Sequence, residues 1–392
     1  MGLDPYWDLL RQRRAGRSSV SIPTGRAPAT TPPWRGTSRG TLPDVRPTGS
    51  VAPVSLLLDR IAELDVEIDG VSWERLEFET PRWVRVSTVV NLAGGGHVGR
   101  GEDVSYATPD QDAHQRMDPP ALAGRRTLAE WSAVLDATNL FPAPPSVPEA
   151  RDYRRWAYES ALLDLALRQA GLGLAEALGR EARPVRFCAS PAGDPAPLLA
   201  RYPDLEVKID AQADWTPDDI ARIAATGRVR VVDLKGHYSG DWNRHPDDPV
   251  AFSAAVAAAF PDVVIEDPPL GAAMASFVNA NAHRISFDAP VHSLADLLRL
   301  PRTAWCNIKP SRFATVEGLL ECIDHCERHG IQMYGGGQFE IGPGRAQIQA
   351  VAAALYPDGP NDVAPSGYNA ASPADGLPAS PLPAPAGIGF GE

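Results

Sequence analysis

The stretch VVIEDPP, residues 263–269, runs from three apolar residues straight into two acids and two prolines. A short apolar run of this kind is typical of a strand buried on both faces. Proline has no N–H group with which to continue a sheet, so the strand is expected to end at the acids. Glu266 and Asp267 are therefore predicted to lie at the carboxyl end of a buried strand.

The same pattern recurs through the second half of the chain, where short apolar runs alternate with helical stretches. The runs are 185–189, 205–209, 229–234, 263–267, 284–288, 306–310, 331–335 and, most weakly, 362–365. Apolar strands that alternate with helices favour a parallel sheet covered on both faces. Up to eight such units predict a closed (β/α)8 (TIM) barrel, with a doubly wound open sheet as the alternative.

The segment before the barrel has a different pattern. Residues 73–80 alternate like a half-buried strand, residues 85–92 are β-branched and apolar, and three glycines follow at 94–96. Residues 153–179 then carry apolar residues at helical spacing, interrupted by two glycines. Strands followed by helices predict an α+β domain.

These patterns divide the chain into four parts. Residues 1–50 are rich in Arg, Pro, Ser, Thr and Gly and lack apolar periodicity, which is typical of a disordered tail. A targeting peptide or an over-extended start codon are the alternatives for this tail. The other parts are an α+β capping domain at 51–184, the (β/α) barrel at 185–365, and a carboxy-terminal segment at 366–392 that returns to the capping domain.

The net charge and the cysteine content limit the classes of binding partner and the cellular compartment that fit this protein. The net charge of −12 and the pI of about 5.2 disfavour nucleic acid and anionic membrane as partners. Four cysteines are sparse and irregularly spaced, which favours a reducing, cytoplasmic location. No apolar run reaches the ~18 residues of a membrane helix. The sequence leaves open whether the chain is a homo-oligomer.

Charged residues stand at successive strand ends, about one βα unit apart. They are Lys208, Asp233, Glu266, Asp288 and Lys309, with Glu340 just past the seventh strand. The carboxyl ends of the strands form the active-site face of a βα barrel, so we expect these side chains to converge around one mouth.

This set of residues permits a particular chemistry. Three neighbouring carboxylates need a cation, because like-charge repulsion otherwise raises their pKa values. Mg2+ prefers oxygen ligands, whereas the absence of Cys and His from the set argues against Zn2+. A cation between Lys208 and Lys309 would lower the lysine pKa toward the ~7–8 that suits a general base. Such a site could remove a proton alpha to a carboxylate and stabilise the resulting enolate.

Two other patterns have competing interpretations. In residues 321–329, Cys322 with Cys326 and His325 with His329 are spaced i, i+4. They could bind a soft metal, but an amphipathic helix with the cysteines inward is the favoured interpretation. Residues 335–344 resemble a phosphate-binding loop but lack its lysine, so that signal is weak.

At these strand ends the chain resembles the enolase superfamily. The match is to the muconate-lactonizing branch, which includes o-succinylbenzoate synthases and dipeptide epimerases. The resemblance lies in residues 87–103, 161–179, 264–269 (VIEDPP), 307–312 (NIKPSR) and 337–344 (GQFEIGPG). It implies Mg2+ as cofactor.

The resemblance also assigns roles to individual residues. It makes Asp233, Glu266 and Asp288 the metal ligands, and Lys208 and Lys309 the opposed acid/base pair. We assign Lys235 and Glu340 to substrate binding.

The chain departs from the family pattern at two positions. Glu206 replaces the first lysine of the usual Lys-x-Lys, and Lys235 stands where an amide is expected after the third strand. An extended backbone would point Lys235 the same way as Asp233. Its ammonium group could then pair with Glu266 and weaken metal binding, or bind an anionic substrate.

The resulting expectation is a Mg2+-dependent isomerase or lyase that acts on a small carboxylate. Epimerisation, dehydration and cycloisomerisation remain open, because all begin by forming the same enolate. One alternative is a sugar-acid dehydratase of the same superfamily, whose Asp/His dyad is not evident. The other is a non-catalytic barrel that binds a small acid and has a decayed site.

Overall fold

The computed structural model describes residues 55–80, 83–238, 245–370 and 372–391. The predicted tail at 1–50 lies outside the described residues. Within the described residues, no helix is both long and apolar enough to cross a membrane.

The amino-terminal part is an α+β domain. Strands β2, β3 and β4 form an antiparallel sheet in that order, and β1 pairs with β5 in a separate two-stranded sheet. The elements are β1 (Asp65–Ile68), β2 (Gly70–Glu79), β3 (Val84–Gly94), β4 (His97–Asp103), α1 (Thr108–Arg116), β5 (Gly124–Thr127), α2 (Leu128–Asp136), α3 (Ala150–Ala170) and α4 (Leu174–Ala177). The strands predicted at 73–80 and 85–92 lie within β2 and β3, which pair antiparallel.

Helix α3 lies directly on strand β4, and two glycines make this approach possible. A Cβ atom on Gly99 would lie 2.2 Å from the carbonyl oxygen of Ala161, and one on Gly101 would lie 2.0 Å from that of Ala157. The helix ends where Gly171 takes a φ of 70°, a left-handed conformation that favours glycine. The glycines that interrupt the helical pattern at 153–179 thus separate two helices, α3 and α4.

The second part is a curled parallel sheet of seven strands in sequential order, from β6 to β12. Its strands are β6 (Cys188–Ala189), β7 (Glu206–Asp210), β8 (Val229–Asp233), β9 (Val264–Glu266), β10 (Ile285–Phe287), β11 (Trp305–Ile308) and β12 (Gln332–Gly335). Its helices are α5 (Ala196–Arg201), α6 (Pro217–Ala224), α7 (Pro249–Ala259), α8 (Ala275–Asn281), α9 (Leu294–Arg299), α10 (Val316–His329) and α11 (Pro343–Leu355). Short 3-10 helices cover Leu58–Arg60, Ala272–Met274, Pro310–Phe313 and Ser366–Asn369.

The eighth strand predicted at 362–365 does not form among the described residues, so the sheet is not a closed eight-stranded barrel. Asn361 and Asp362 nevertheless contact both edge strands. The N–H of Cys188 donates to the carbonyl of Asn361 at 2.7 Å, and the N–H of Asp362 donates to the carbonyl of Gly335 at 2.8 Å. Prolines at 360 and 365 enclose this segment, and proline cannot donate to a strand ladder.

The last described residues run back along the first part of the chain. Leu382 and Val185 exchange two backbone hydrogen bonds, of 2.8 and 2.9 Å. Further on, Gly389 accepts a hydrogen bond from the N–H of Leu174 at 2.9 Å, and the N–H of Phe390 donates to Asp164 on α3 at 3.3 Å. The carboxy-terminal segment thus contacts the capping domain.

Candidate active site

Three carboxylates meet at the carboxyl edge of the parallel sheet. Asp233 and Glu266 are the last residues of β8 and β9, and Asp288 directly follows β10. All three are fully buried. Each offers one oxygen atom, and these oxygen atoms all lie within 4.8 Å of one another. The arrangement of in-order parallel strands therefore brings the predicted metal ligands together, while their role stays a prediction.

Lys208, on β7, points into this group of acids. Its Nζ donates to Glu266 Oε1 and lies 3.7 Å from Asp233 Oδ2 and 3.8 Å from Asp362 Oδ2. Burial by itself lowers the pKa of a lysine, but the carboxylates of Glu266 and Asp233 outweigh it here. They raise the pKa of Lys208 well above its ordinary value. The acids and lysines by themselves therefore do not give Lys208 the lowered pKa that a general base needs.

Lys309 occupies the other side of the cluster. It follows β11, and its Nζ lies 2.9 Å from Asp288 Oδ2. Arg312 donates from Nη1 to the other oxygen of Asp288 at 2.6 Å. Although burial opposes the charge, these two cations hold the pKa of Asp288 well below its usual range. Asp288 is therefore ionised at any ordinary pH.

Lys235 reaches the cluster by a route that differs from the prediction. Its backbone has a φ of 52° and is left-handed rather than extended, and its N–H donates to Asp233 Oδ1 at 2.8 Å. The chain turns tightly here, since a Cβ atom on Gly236 would lie 2.3 Å from the nitrogen of Pro269. The Lys235 ammonium group pairs with Asp233 Oδ2 at 2.6 Å and with Asp210 at 3.1 Å. Burial lowers the pKa of Lys235, but the Asp210 and Asp233 carboxylates raise it well above its ordinary value.

Glu266 lies at the centre of the group. Asn307 donates from Nδ2 to Glu266 Oε2 at 3.0 Å, and the hydroxyl of Tyr334 donates to the same oxygen. Burial is the largest influence on this carboxyl, and the neighbouring Asp233 and Asp288 add repulsion that Lys208 only partly offsets. Together they raise the pKa of Glu266 to about 7. Burial beside two other carboxylates therefore disfavours the charged form of Glu266, even with Lys208 paired to it.

Asp267, the second acid of the VIEDPP stretch, has a different function from Glu266. Its φ of 48° turns its carboxylate toward the next strand, where it accepts the N–H groups of Asp288 at 2.8 Å and Ala289 at 2.9 Å. Burial and the surrounding carboxylates raise its pKa well above the ordinary value. Asp267 therefore connects the ends of β9 and β10 and so positions two of the predicted metal ligands.

Glu340 is turned toward its own loop. It is buried, accepts the N–H of Gln338 at 2.7 Å and lies 3.4 Å from Arg345 Nη2. It thereby supports the first turn of α11, from which Arg345 extends. Direct contact between Glu340 and a substrate stays a prediction.

A cavity of 250 Å³ opens over the cluster. Its charged lining residues are Lys208, Lys235, Lys309, Arg345, Asp210 and Asp362. Both predicted acid/base lysines thus face the same space, although three strands separate β7 from β11 in the sheet. A small anionic molecule in this cavity would meet amine groups on more than one side.

The two weaker sequence patterns are explained by packing. In the loop at 335–344, the N–H groups of Ile341, Gly342 and Gly344 donate to the carboxylate of Glu102 at 2.8 to 3.1 Å. A carboxylate of the capping domain therefore occupies the place where a phosphate-binding loop would hold its anion.

On α10, Cys322 and Cys326 are fully buried, whereas the rings of His325 and His329 stack on the outer face at 4.0 Å. This agrees with an amphipathic helix and not with a metal site.

Sequence reasoning missed several residues of the site. They are Asn307, Arg312, Tyr334, Asp362 and Arg345. Asn307 could have been found, because it lies two residues before Lys309 and so shares its face of the strand. Arg312 comes from a short 3-10 helix, Tyr334 from the seventh strand, Arg345 from α11 and Asp362 from a loop, and no local pattern indicates that they point to this site.

Comparisons with known proteins agree with this architecture. Residues 59–177 match the family model "Domain of unknown function (DUF8230) N-terminal domain", and residues 181–370 match "Domain of unknown function (DUF8230) C-terminal domain". A sequence search of curated proteins finds no match.

Solved structures with the same fold come from several bacteria. A dipeptide epimerase from Methylococcus capsulatus, complexed with Mg and the dipeptide L-Arg-D-Lys, is 18% identical, with 83% of this chain and 99% of that one covered and a TM-score of 0.64. The L-Ala-D/L-Glu epimerase from Bacillus subtilis is 18% identical, with 83% and 98% covered and a TM-score of 0.63. The muconate lactonizing enzyme from Pseudomonas putida is 17% identical, with 83% and 96% covered and a TM-score of 0.60. The chain therefore has the two-domain fold of the enolase superfamily, in the form shared by dipeptide epimerases and muconate lactonizing enzymes.

Proposed function

We propose that this protein is a Mg2+-dependent isomerase or lyase that begins by removing a proton alpha to the carboxylate of a small acid. The observation that carries the proposal is the buried Asp233–Glu266–Asp288 group, whose ligand oxygens lie within 4.8 Å of one another, with Lys208 and Lys309 on the same cavity. Epimerisation, dehydration and cycloisomerisation all fit this beginning.

The donor set fits a hard divalent cation. All three predicted ligands are carboxylates on neighbouring strands, and oxygen is the ligand that Mg2+ prefers. The raised pKa of Glu266, about 7, is what burial beside two other carboxylates produces, and a cation at these oxygens would relieve the repulsion. Mg2+ held by Asp233, Glu266 and Asp288 would supply the positive charge that stabilises an enolate.

The residues of the chain then have distinct tasks. Asn307 and Tyr334 orient Glu266, and Arg312 orients Asp288. The amine groups of Lys208 and Lys309 are the groups that take or return the proton at the alpha carbon. With the charge of the acids offset, the pKa of Lys208 would fall from its raised value, as a general base requires.

The lysine content of the whole chain supports a chemical task for these amines. Of the 37 lysines and arginines, only Lys208, Lys235 and Lys309 are lysines, and all three line the one cavity. Arginine serves everywhere else as the positive charge. A lysine can change its protonation state in a protein and an arginine cannot, so Lys208 and Lys309 are suited to proton transfer in a way that arginine is not.

Lys235 and Arg345 also line the cavity, and we assign them, with Glu340 as support for Arg345, to binding the anionic substrate. The four cysteines are free and buried, and we place the activity in the cytoplasm, where thiols stay reduced.

A second candidate is a non-catalytic protein that binds a small acid. One observation favours it, because each of the three carboxylates already has a cation of the protein beside it. Lys208 pairs with Glu266 and Lys235 with Asp233, while Lys309 and Arg312 pair with Asp288. In this alternative the lysines replace a metal and the substrate acid is only bound.

Deuterium exchange separates the two candidates. The protein is incubated with a library of small carboxylates in D2O and Mg2+, and incorporation at the alpha carbon is followed by mass. The proposal expects exchange with at least one acid, lowered ~10²–10⁴-fold in Lys208→Ala and in Lys309→Ala because each removes a general acid/base. Unchanged exchange in both variants would exclude the two-lysine mechanism, and no exchange with any acid favours the binding protein.

Lysine-selective isotope labelling gives a readout that does not depend on turnover. Protein labelled with 13C at lysine Cε should show three resonances, one for each lysine of the chain. Their assignment follows from the single Lys→Arg variants. Titration should show the pKa of Lys208 falling when Mg2+ is added in place of chelator, and a pKa indifferent to Mg2+ would contradict its role as the base.

A further inference from the structure

A second and larger cavity adjoins the charged one. Its volume is 650 Å³, within the range of pockets that bury a drug-sized ligand. Ser190, Phe339 and Asn369 line both cavities. Because the two spaces share these walls, a molecule held by the lysines can extend directly into the second cavity.

The lining of the second cavity is mainly apolar and aromatic. It includes Trp83, Pro197, Leu198, Phe339 and Tyr368. Its two charged members have partners on the protein. Asp194 pairs with Arg222 at 2.8 Å, and Arg201 pairs with Asp375 at 2.6 Å. The cavity therefore offers apolar surface and aromatic rings, and its charges are already balanced.

Phe339 stands where the two cavities meet, in a backbone conformation that an aromatic residue rarely takes. Its φ is 60°, and such outliers persist only where the surroundings hold them. The guanidinium of the buried Arg85 donates to its carbonyl at 3.3 Å. Its ring packs against those of Phe78 and Trp83, with centroids 6.1 and 6.2 Å apart. The capping domain thus positions the ring that separates the charged space from the apolar one.

We propose that the substrate is a carboxylic acid with a bulky apolar or aromatic far end, which the 650 Å³ cavity receives. This inference rests on the proposed function only for the location of the carboxylate among the lysines. Burial of a phenyl group in such a space is worth at least about a tenfold gain in affinity, because apolar surface leaves water.

Calorimetric titration with phenylalkanoates and the matching alkanoates, in buffer with Mg2+, tests the proposal. The series runs from acetate to octanoate, so the tail length at which the phenyl group reaches the second cavity is read directly. The phenyl acid should bind at least about tenfold more tightly than its alkanoate at one or more lengths. Equal affinities at every length would overturn the inference.

Variants that fill the cavity locate the effect. Ala192 and Ser372 are exposed residues on its lining, so Ala192→Trp and Ser372→Trp add a ring without removing core. Either should reduce the phenyl preference to less than about twofold. Ala200 lies on the same helix as Leu198, is exposed and lines neither cavity, so Ala200→Trp should keep the preference. A preference that survives both filling variants would exclude this cavity as the binding place.

Deuterium exchange on the same acids separates this inference from the proposed function. Exchange without a phenyl preference would overturn the inference and leave the proposed function intact. A phenyl preference lost in Ala192→Trp, without exchange, would support the inference and count against the proposed function.

Discussion

The capping domain and the barrel each bury a cluster of charged groups, and the two clusters are built in opposite ways. In the capping domain, Asp103, His114 and Arg154 are fully buried. Arg154 donates to Asp103 at 2.7 Å, and both the N–H and the hydroxyl of Ser105 donate to it at 2.9 and 2.6 Å. Burial raises the pKa of Asp103, but Arg154 and His114 outweigh it and hold the pKa well below the usual range.

The barrel cluster instead keeps like charges together. Its three carboxylate oxygens lie within 4.8 Å of one another, and the pKa of Glu266 is raised to about 7. The capping-domain cluster is satisfied by the protein itself, so it contributes to the stability of the fold. The barrel cluster also pairs its carboxylates with lysines and an arginine, but it still crowds three carboxylates together and leaves the pKa of Glu266 raised. A buried site with a perturbed pKa beside a cavity is a candidate for binding a ligand. The predictions below test this contrast.

The largest expected effect is loss of stability when the satisfied cluster is broken. Asp103→Asn leaves the Arg154 guanidinium buried without its carboxylate, which should cost about 3–5 kcal/mol of the free energy of unfolding. Without metal, Glu266→Gln should cost under about 2 kcal/mol. The new amide NH2 group faces hydrogen-bond donors and is left unsatisfied, but the loss of like-charge repulsion offsets most of that cost. Urea denaturation with chelator at pH 7.5 measures both, and equal losses would remove the distinction between the clusters.

The next effect is a dependence of stability on pH that arises from Glu266. A carboxyl whose folded pKa is raised from 4.5 to about 7 loses stability as pH rises through this window, since the folded state disfavours the charge. The loss should reach about 3 kcal/mol by pH 8, at ~1.4 kcal/mol for each unit of pKa. In melting experiments between pH 4 and 8 with chelator, wild type should decline relative to Glu266→Gln. Identical pH profiles would show that Glu266 is not the source.

A smaller effect is expected in metal affinity. Lys235→Asn removes a cation 2.6 Å from Asp233 Oδ2 and should tighten Mg2+ binding by about tenfold, since a charge pair at this range is worth a few kcal/mol at most near a protein surface. Lys235→Arg keeps the charge and serves as the matched control. Calorimetric titration with Mg2+ compares the three proteins, and tighter binding in Lys235→Arg as well would assign the effect to shape rather than charge.

The smallest effect belongs to the capping-domain cluster. Burial is the main cause that lowers the pKa of His114, so stability is complete above the unfolded pKa of ~6.5 and falls as pH drops below it. This slope is opposite in sign to that of Glu266. In the Glu266→Gln background, where the larger slope is absent, adding His114→Gln should flatten the stability between pH 5 and 6.5. An unchanged slope would assign the acid sensitivity to another group.

Much of the barrel could be predicted because seven of the eight apolar runs in the sequence form buried strands of the parallel sheet. The run predicted at 229–234 is the strand Val229–Asp233, and the run at 331–335 is the strand Gln332–Gly335. Parallel strands in sequential order put their carboxyl ends at one edge, so Lys208, Asp233 and Lys309 converge as expected. No strand forms at 362–365 among the described residues, because the flanking Pro360 and Pro365 cannot donate to a ladder.

Other features depend on contacts between elements. The turn of Asp267 toward the next strand depends on a positive φ of 48°, and the hydroxyl of Tyr334 reaches Glu266 from three strands away. Glu102 comes from the capping domain to bind the loop that resembled a phosphate site. None of these has a local signal, because each depends on where a distant side chain lies.

By itself the sequence determined the alternation of strands and helices, the order of the charged strand ends and the resemblance to the enolase superfamily. These features follow from the spacing of residues along the chain, because that spacing decides which face of a strand a side chain lies on and which strands are buried. Only the tertiary structure decided which acids are paired, that the pKa of Lys208 is raised, and that an apolar cavity adjoins the charged one. Those properties depend on distances of a few ångströms between residues far apart in sequence, and both electrostatic energy and cavity shape change steeply over such distances.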